Sequence, residues 1–345
     1  VHPSTAALLD GHPDLTHILG YDAGAWRLPQ SLVSPGTWRG ALAMIGRLRA
    51  CRYDLSVSIA GDWASVLAWL SGARRRVGYE REAYPGLLTD PVPGGRYGVR
   101  QHEVEYVKQL ARVAGGRVAD DVAPALHATP EGERRALQLL AQCGVTDLGG
   151  PLVALHAGAR NGLAKRWPTV SWAQLATDLV ERLGARVVLV GAGGDLAIAA
   201  ELQRLAQGRV IDLTGQTTLA DLVALLAQCD LVISGDSGPL HIACAVGTPV
   251  VGIYGPTDPL ISGPLGTDAL VVRQPIWCAP CYDARATADC RFRNPVCMKA
   301  LPHTAVVAAA RRQLAKRRRS DARTIQGTAV EHYVASIIAR DLPTN

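Results

Sequence analysis

The second half of the chain alternates short apolar runs with amphipathic stretches. Runs that read as strands fall at 152–156, 186–190, 210–213, 231–234, 250–254 and 270–272, and helical spacing appears at 171–183, 196–207, 219–228 and 240–246. Apolar strands separated by amphipathic helices predict a parallel sheet covered on both faces. Ligands bind such sheets beyond the carboxyl ends of the strands, so chemistry is expected just after each run.

The first half is less regular. Helical spacing at 40–51 leads into an alternating strand at 53–59, a helix at 63–70 opened by Asp62, a short strand at 74–79 and an amphipathic helix at 102–114. Residues 80–100, rich in Gly and Pro, read as a long loop. The pattern divides the chain into an α/β domain over 1–125, a connector over 126–150 with a helix at 131–143, a second α/β domain over 151–315 and a basic tail helix over 316–345.

Composition narrows the classes. With 345 residues, 48% of them hydrophobic, the chain can bury two cores. No apolar run reaches the roughly 18 residues of a membrane span and no signal-peptide pattern opens the chain, so a cytoplasmic protein is expected. The formal charge is +6, but segment 311–323 alone holds seven basic residues against Asp321. The rest is close to neutral, which argues against a nucleic-acid partner. The tail reads as a solvated helix end or as a contact to an anionic membrane surface.

Three loops after predicted strands carry the candidate chemistry. In the segment SGDSGPLHIACAVGTPVVGIYGPTDP, 234–259, a strand runs into the turn Gly235-Asp236-Ser237-Gly238 and a helix opens near Pro239. The amides at that helix start favour a phosphate, Ser237 and His241 can add donors, and Asp236 can accept from a sugar hydroxyl. An ordinary capped turn beside a core histidine is the competing reading. In HAGARNGLAKRWP, 156–168, Arg160 and Asn161 make a polar loop and Lys165 can reach a diphosphate as a point charge. Only four of the 36 basic residues are lysines, which sets Lys165 apart. In VGAGGD, 190–195, the glycines do not complete a G-x-G-x-x-G fingerprint, and Asp195 reads equally as a helix cap. A fourth turn, LTGQTTL at 213–219, offers Thr217 or Thr218 as the next cap.

The 234–259 segment, with its second stiff loop Gly255-Pro256-Thr257-Asp258-Pro259, resembles the signature of glycosyltransferase family 9, the lipopolysaccharide heptosyltransferases and their relatives. Lys165-Arg166-Trp167-Pro168 is similar to the family's K-x-W-P. The resemblance, from about residue 1 to 314, implies a GT-B fold: two Rossmann-like domains with parallel sheets, the first binding the acceptor and the second the sugar nucleotide. It implies inverting, metal-independent transfer of a sugar, heptose from an ADP-heptose-like donor, to a lipopolysaccharide core or related glycolipid acceptor at the inner face of the cytoplasmic membrane. Diphosphate contacts are then expected from Lys165, Ser237, Gly238 and His241. Asp236 would face the donor sugar and Asp195 the ribose, and the turn that holds Thr217 would lie beside the base, where backbone contacts would suffice. The family's general-base aspartate lies in a strand and Gly-Asp loop expected before Val1, which leaves the base unassigned and the N-terminal domain incomplete.

Eight cysteines remain. Cys51, Cys143, Cys229 and Cys244 fall in apolar segments and read as buried thiols. Cys278, Cys281, Cys290 and Cys297 lie within 20 residues of each other, a spacing open to a structural zinc site or to reduced or redox-labile thiols. No cofactor is expected to be needed for catalysis. Two other functions compete: a nucleotide-sugar-binding fragment without turnover, and a nicotinamide-dependent oxidoreductase. The incomplete glycine fingerprint disfavours the oxidoreductase.

Overall fold

The computed structural model describes residues 1–22, 30, 33–61, 63–81, 84–95, 100–145, 149–159, 162–266, 269–282 and 289–320. Asp62, Arg160, Asn161 and the tail beyond 320 lie outside them. The chain divides into two units, one of residues 1–9 and 14–122, the other of 10–13 and 123–345.

The first unit holds α1 (Pro35–Ala50), β1 (Leu55–Val57), α2 (Ala64–Leu70), β2 (Arg75–Tyr79), β3 (Asp90–Val92) and α3 (Glu103–Val113). The strands form a parallel sheet in the order β1-β2-β3. Its core is Val77, Tyr79, Val92, Tyr106 and Leu110. The Tyr79 hydroxyl is satisfied by donating to the Tyr106 carbonyl at 2.8 Å. β3 lies inside the stretch expected to be a loop. It escapes the sequence pattern because it is three residues long and carries Pro91, which a sheet tolerates at an edge position such as this one.

The second unit contains α4 (Pro130–Gln142), β4 (Leu152–His156), α5 (Thr169–Leu183), β5 (Arg186–Leu189), α6 (Leu196–Leu205), β6 (Ile211–Asp212), α7 (Leu219–Gln228), β7 (Leu231–Gly235), α8 (Gly238–Ala245), β8 (Val250–Tyr254), β9 (Ala269–Arg273) and α9 (His303–Ser320). Six parallel strands run in the order β6-β5-β4-β7-β8-β9. Successive strands step outward from β4 to β6, then return to the other side of β4 and step outward again. The reversal lies between β4 and β7, where His156 is the register partner of Ser234. That switch point, at the carboxyl ends of the two strands, is where a doubly wound sheet opens a crevice for ligands.

Helix boundaries follow local chemistry. Thr218 accepts from the Asp221 amide and Asp221 returns a bond to the Thr218 amide, a reciprocal cap that starts α7. α5 ends at Gly184 in the left-handed region, φ 62. Two segments differ from the sequence expectation. The stretch read as a connector belongs to the second unit: Ala136, Leu139 and Leu140 of α4 are buried, and Gly132 approaches the Ala220 carbonyl of α7. A long helix, α9, begins at His303, before the expected tail. Val306, Val307, Ala309, Ala310 and Leu314 bury it in the same core as β4, β7 and β8.

Candidate functional site

The loop after β4 is anchored by Trp167. Its indole is buried against Trp172, ring centroids 5.1 Å apart, and donates to the Leu301 carbonyl at 3.0 Å. That anchor sets Lys165, in the turn Leu163–Lys165, over the switch point. Lys165 Nζ donates to Asp236 Oδ2 at 3.0 Å and stands 4.2 Å from the centre of the Tyr282 ring. Both charged side chains are largely withdrawn from water, 14% and 9% exposed.

Asp236 gathers further partners through its other oxygen. His241 Nε2 lies 3.5 Å from Oδ1, and the hydroxyls of Tyr254 and Ser262 each donate to it at 3.5 Å. Tyr254 is held by a shorter bond to the Ser262 carbonyl, 2.7 Å. Burial pushes the Asp236 carboxyl up. The His241 hydrogen bond and the Lys165 charge outweigh it, so the pKa falls below the ordinary aspartate value. The same burial, with the Asp236 charge beside it, raises the Tyr254 phenol well above its usual value. The site therefore holds an ionised carboxylate against an ammonium, with a neutral phenol beside them.

Asp195 sits on the neighbouring loop, in the turn Gly193–Asp195. Its Oδ2 accepts from the Ala192 amide at 3.0 Å and stands 3.7 Å from His156 Nε2. The His156 contact, acting against burial and with the Ala192 bond, lowers its pKa. Gly158 makes the approach possible: a Cβ there would collide with the Asp195 carboxyl group. Thr217 lies half-buried in the turn after β6, and the Gly215 amide ties that turn to the Gly191 carbonyl. Thr218, not Thr217, makes the cap.

Ser237 and Gly238 open α8, with Ser237 at the N-cap position and His241 on the first turn, half-exposed. The structure thus brings Lys165, Asp195, Asp236, Ser237, Gly238, His241 and Thr217 to one edge of one sheet. Arg160 and Asn161 are outside the described residues. Sequence reasoning missed His156, Ser234, Tyr254, Ser262 and Tyr282. The first three end apolar runs at the carboxyl edge of the sheet, and that position was the available signal.

Cys278, Cys281, Cys290 and Cys297 line one pocket with Tyr282 and Phe292. Among the described residues no group of three His, Cys, Asp or Glu side chains is placed to hold a metal ion. Burial and the neighbouring thiols push Cys297 up to about 11, so it is a protonated thiol at neutral pH.

Comparison with known proteins accords with this architecture. The E. coli K12 lipopolysaccharide heptosyltransferase 2 is 32% identical over 244 residues, which span 66% of this chain and 66% of that protein's length. The solved E. coli ADP-heptose LPS heptosyltransferase II superposes with a TM-score of 0.70 at 22% identity, covering 92% of this chain and 88% of that one. An E. coli heptosyltransferase solved with ADP gives 0.66 at 22% identity, over 91% and 88%. At these identities the structural likeness shows the fold, which is GT-B. Among the described residues no helix is long and apolar enough to cross a membrane. The profile of glycosyltransferase family 9 (heptosyltransferase) matches residues 41–291, and with more than two thirds of its length so matched this chain belongs to that family.

Proposed function

We propose that this protein transfers heptose, with inversion, from an ADP-heptose-type donor to a lipopolysaccharide core acceptor presented at a membrane surface. The observation that carries the reading is the buried Lys165–Asp236 pair beside the start of α8, at the switch point of the second sheet. An ammonium and a helix start are the groups that a nucleoside diphosphate requires. The relatives named above are heptosyltransferases, one of them solved with ADP and another described as acting on ADP-heptose.

In this reading the diphosphate lies between Lys165 and the first turn of α8, contacting Gly238 and His241. Asp195 reaches the ribose from the next loop, and the Thr217 turn lies beside the base. Asp236 holds Lys165 in place and faces the sugar. The acceptor oxygen bonds to the anomeric carbon from the face opposite the diphosphate. The bond from that carbon to the diphosphate oxygen breaks, and the acceptor proton passes to a general base. Lys165 and the helix amides meet the charge growing on the leaving group, a role that a divalent ion fills in other enzymes.

Two measurements test the reading. Calorimetry should detect ADP binding that Lys165→Ala weakens by about 1.5–3 kcal/mol, the scale of a hydrogen bond to a charged group. Equal affinities would remove Lys165 from the site. Mass spectrometry of a reaction with ADP-heptose and a core acceptor should show a product heavier by one heptose. ADP binding without that product would leave a donor-binding protein in place of a transferase.

A further inference from the structure

Three strand ends contribute to the surroundings of the Lys165 ammonium. The loop after β4 carries the lysine, and the end of β7 leads to Asp236, which accepts from Nζ at 3.0 Å. The third contribution comes from beyond β8. The amides of Cys281 and Tyr282 both donate to the Pro256 carbonyl, each at 2.8 Å. Pro256 is buried in the loop that follows β8. This double tether brings the half-buried Tyr282 ring to Lys165, with Nζ 4.2 Å from the ring centre. Tyr282 also lines a pocket with Ala164, the residue before Lys165.

The two contacts differ in chemistry. An ammonium carries three N–H donors and no acceptor. Among the described residues Asp236 is the one hydrogen-bond acceptor that Nζ reaches. Its carboxylate attracts the ammonium and also cancels its charge. An aromatic face attracts a cation through its quadrupole and carries no net charge, so it holds the ammonium without neutralising it. The attraction is strongest where the cation is withdrawn from water, and the Lys165 side chain is 14% exposed. A carboxylate in place of the ring would claim a second N–H and would repel a phosphate.

We infer that Tyr282 is a positioning residue of the donor site: its ring face steadies the Lys165 ammonium, without neutralising it, for the donor diphosphate. The inference rests on the donor reading above. The cysteine-bearing segment that ends in Tyr282 then serves the site as the arm that presents this ring.

The test is ADP binding by calorimetry, with adenosine as the phosphate-free control. Tyr282→Phe keeps the ring face and should retain ADP affinity to within about twofold. Tyr282→Leu keeps apolar bulk but has no ring, and should weaken ADP about fivefold while leaving adenosine unchanged. Because the ring acts through the ammonium, Tyr282→Leu made in Lys165→Ala should cost less than about twofold beyond Lys165→Ala alone. A packing role would cost the same factor in both backgrounds. Equal ADP affinities of the Phe and Leu variants, or an equal loss from Tyr282→Leu with and without Lys165, overturn the inference and leave the donor reading standing. If wild type does not bind ADP, the donor reading falls and the inference with it. Should Tyr282→Leu fail to fold, Tyr282→Met, a flexible apolar chain without a ring, takes its place in both comparisons with the same expected losses.

Discussion

Lys165 and Asp236 neutralise each other in a place where neither is well hydrated, so the pair is a stability element as well as a site. The folded pKa of Asp236 lies below its unfolded value of 3.8. Its ionised form therefore stabilises the fold in full above that unfolded value, and this contribution is lost as pH falls through the lower, folded value. Asp236→Asn leaves a buried ammonium without its counter-charge and should cost about 3 kcal/mol at pH 7. The gap between variant and wild type in urea unfolding should shrink as pH is lowered from 5 towards 3. A gap independent of pH would mean that ionisation of Asp236 contributes nothing. Asp195 acts in the same direction, because its folded pKa is also lowered. At this scale the sequence was informative about residue type. Lys165, Asp195 and Asp236 were visible as polar residues just after apolar runs. Their mutual pairing was not visible, because a 3.0 Å contact between residues 71 apart depends on the β4–β7 register.

At the scale of elements, α7 depends on the reciprocal cap between Thr218 and Asp221. Thr218→Ala should lower stability by about 1 kcal/mol, measured by urea denaturation. An unchanged midpoint would mean that the tertiary contacts of α7 alone set its start. The strands β4, β5, β7, β8 and β9 and the helices α5 to α8 were legible because each carries four or more residues of consistent pattern. β3 was not, since three residues with a proline give no periodicity. The start of α9 was hidden for another reason. Its basic end dominates the composition, whereas the apolar face that buries it belongs to its first turns.

For the whole molecule, ADP should act on one unit. Hydrogen exchange with saturating ADP should show protection in 157–165, 214–218 and 235–241, with the β1-β2-β3 sheet unchanged. At a hundredfold excess over Kd the ligand adds about 2.7 kcal/mol to the stability of the unit that binds it. Protection spread over both units, or confined to the first, would displace the donor from the second sheet.

What the sequence determined by itself was the class of each half, the alternation of β4 to β9 with their helices, and the short motifs that mark family 9. Those are local properties, carried by periodicity, caps and turns within a few residues. Only the tertiary structure decided that α4 packs in the second unit, that Asp236 pairs with Lys165, and that the Ser237 hydroxyl lies 3.1 Å from His156 Nδ1. Each of these joins residues far apart in the chain. Their meeting is set by strand order and register, through the reversal between β4 and β7, and no local pattern specifies which two strand ends lie side by side.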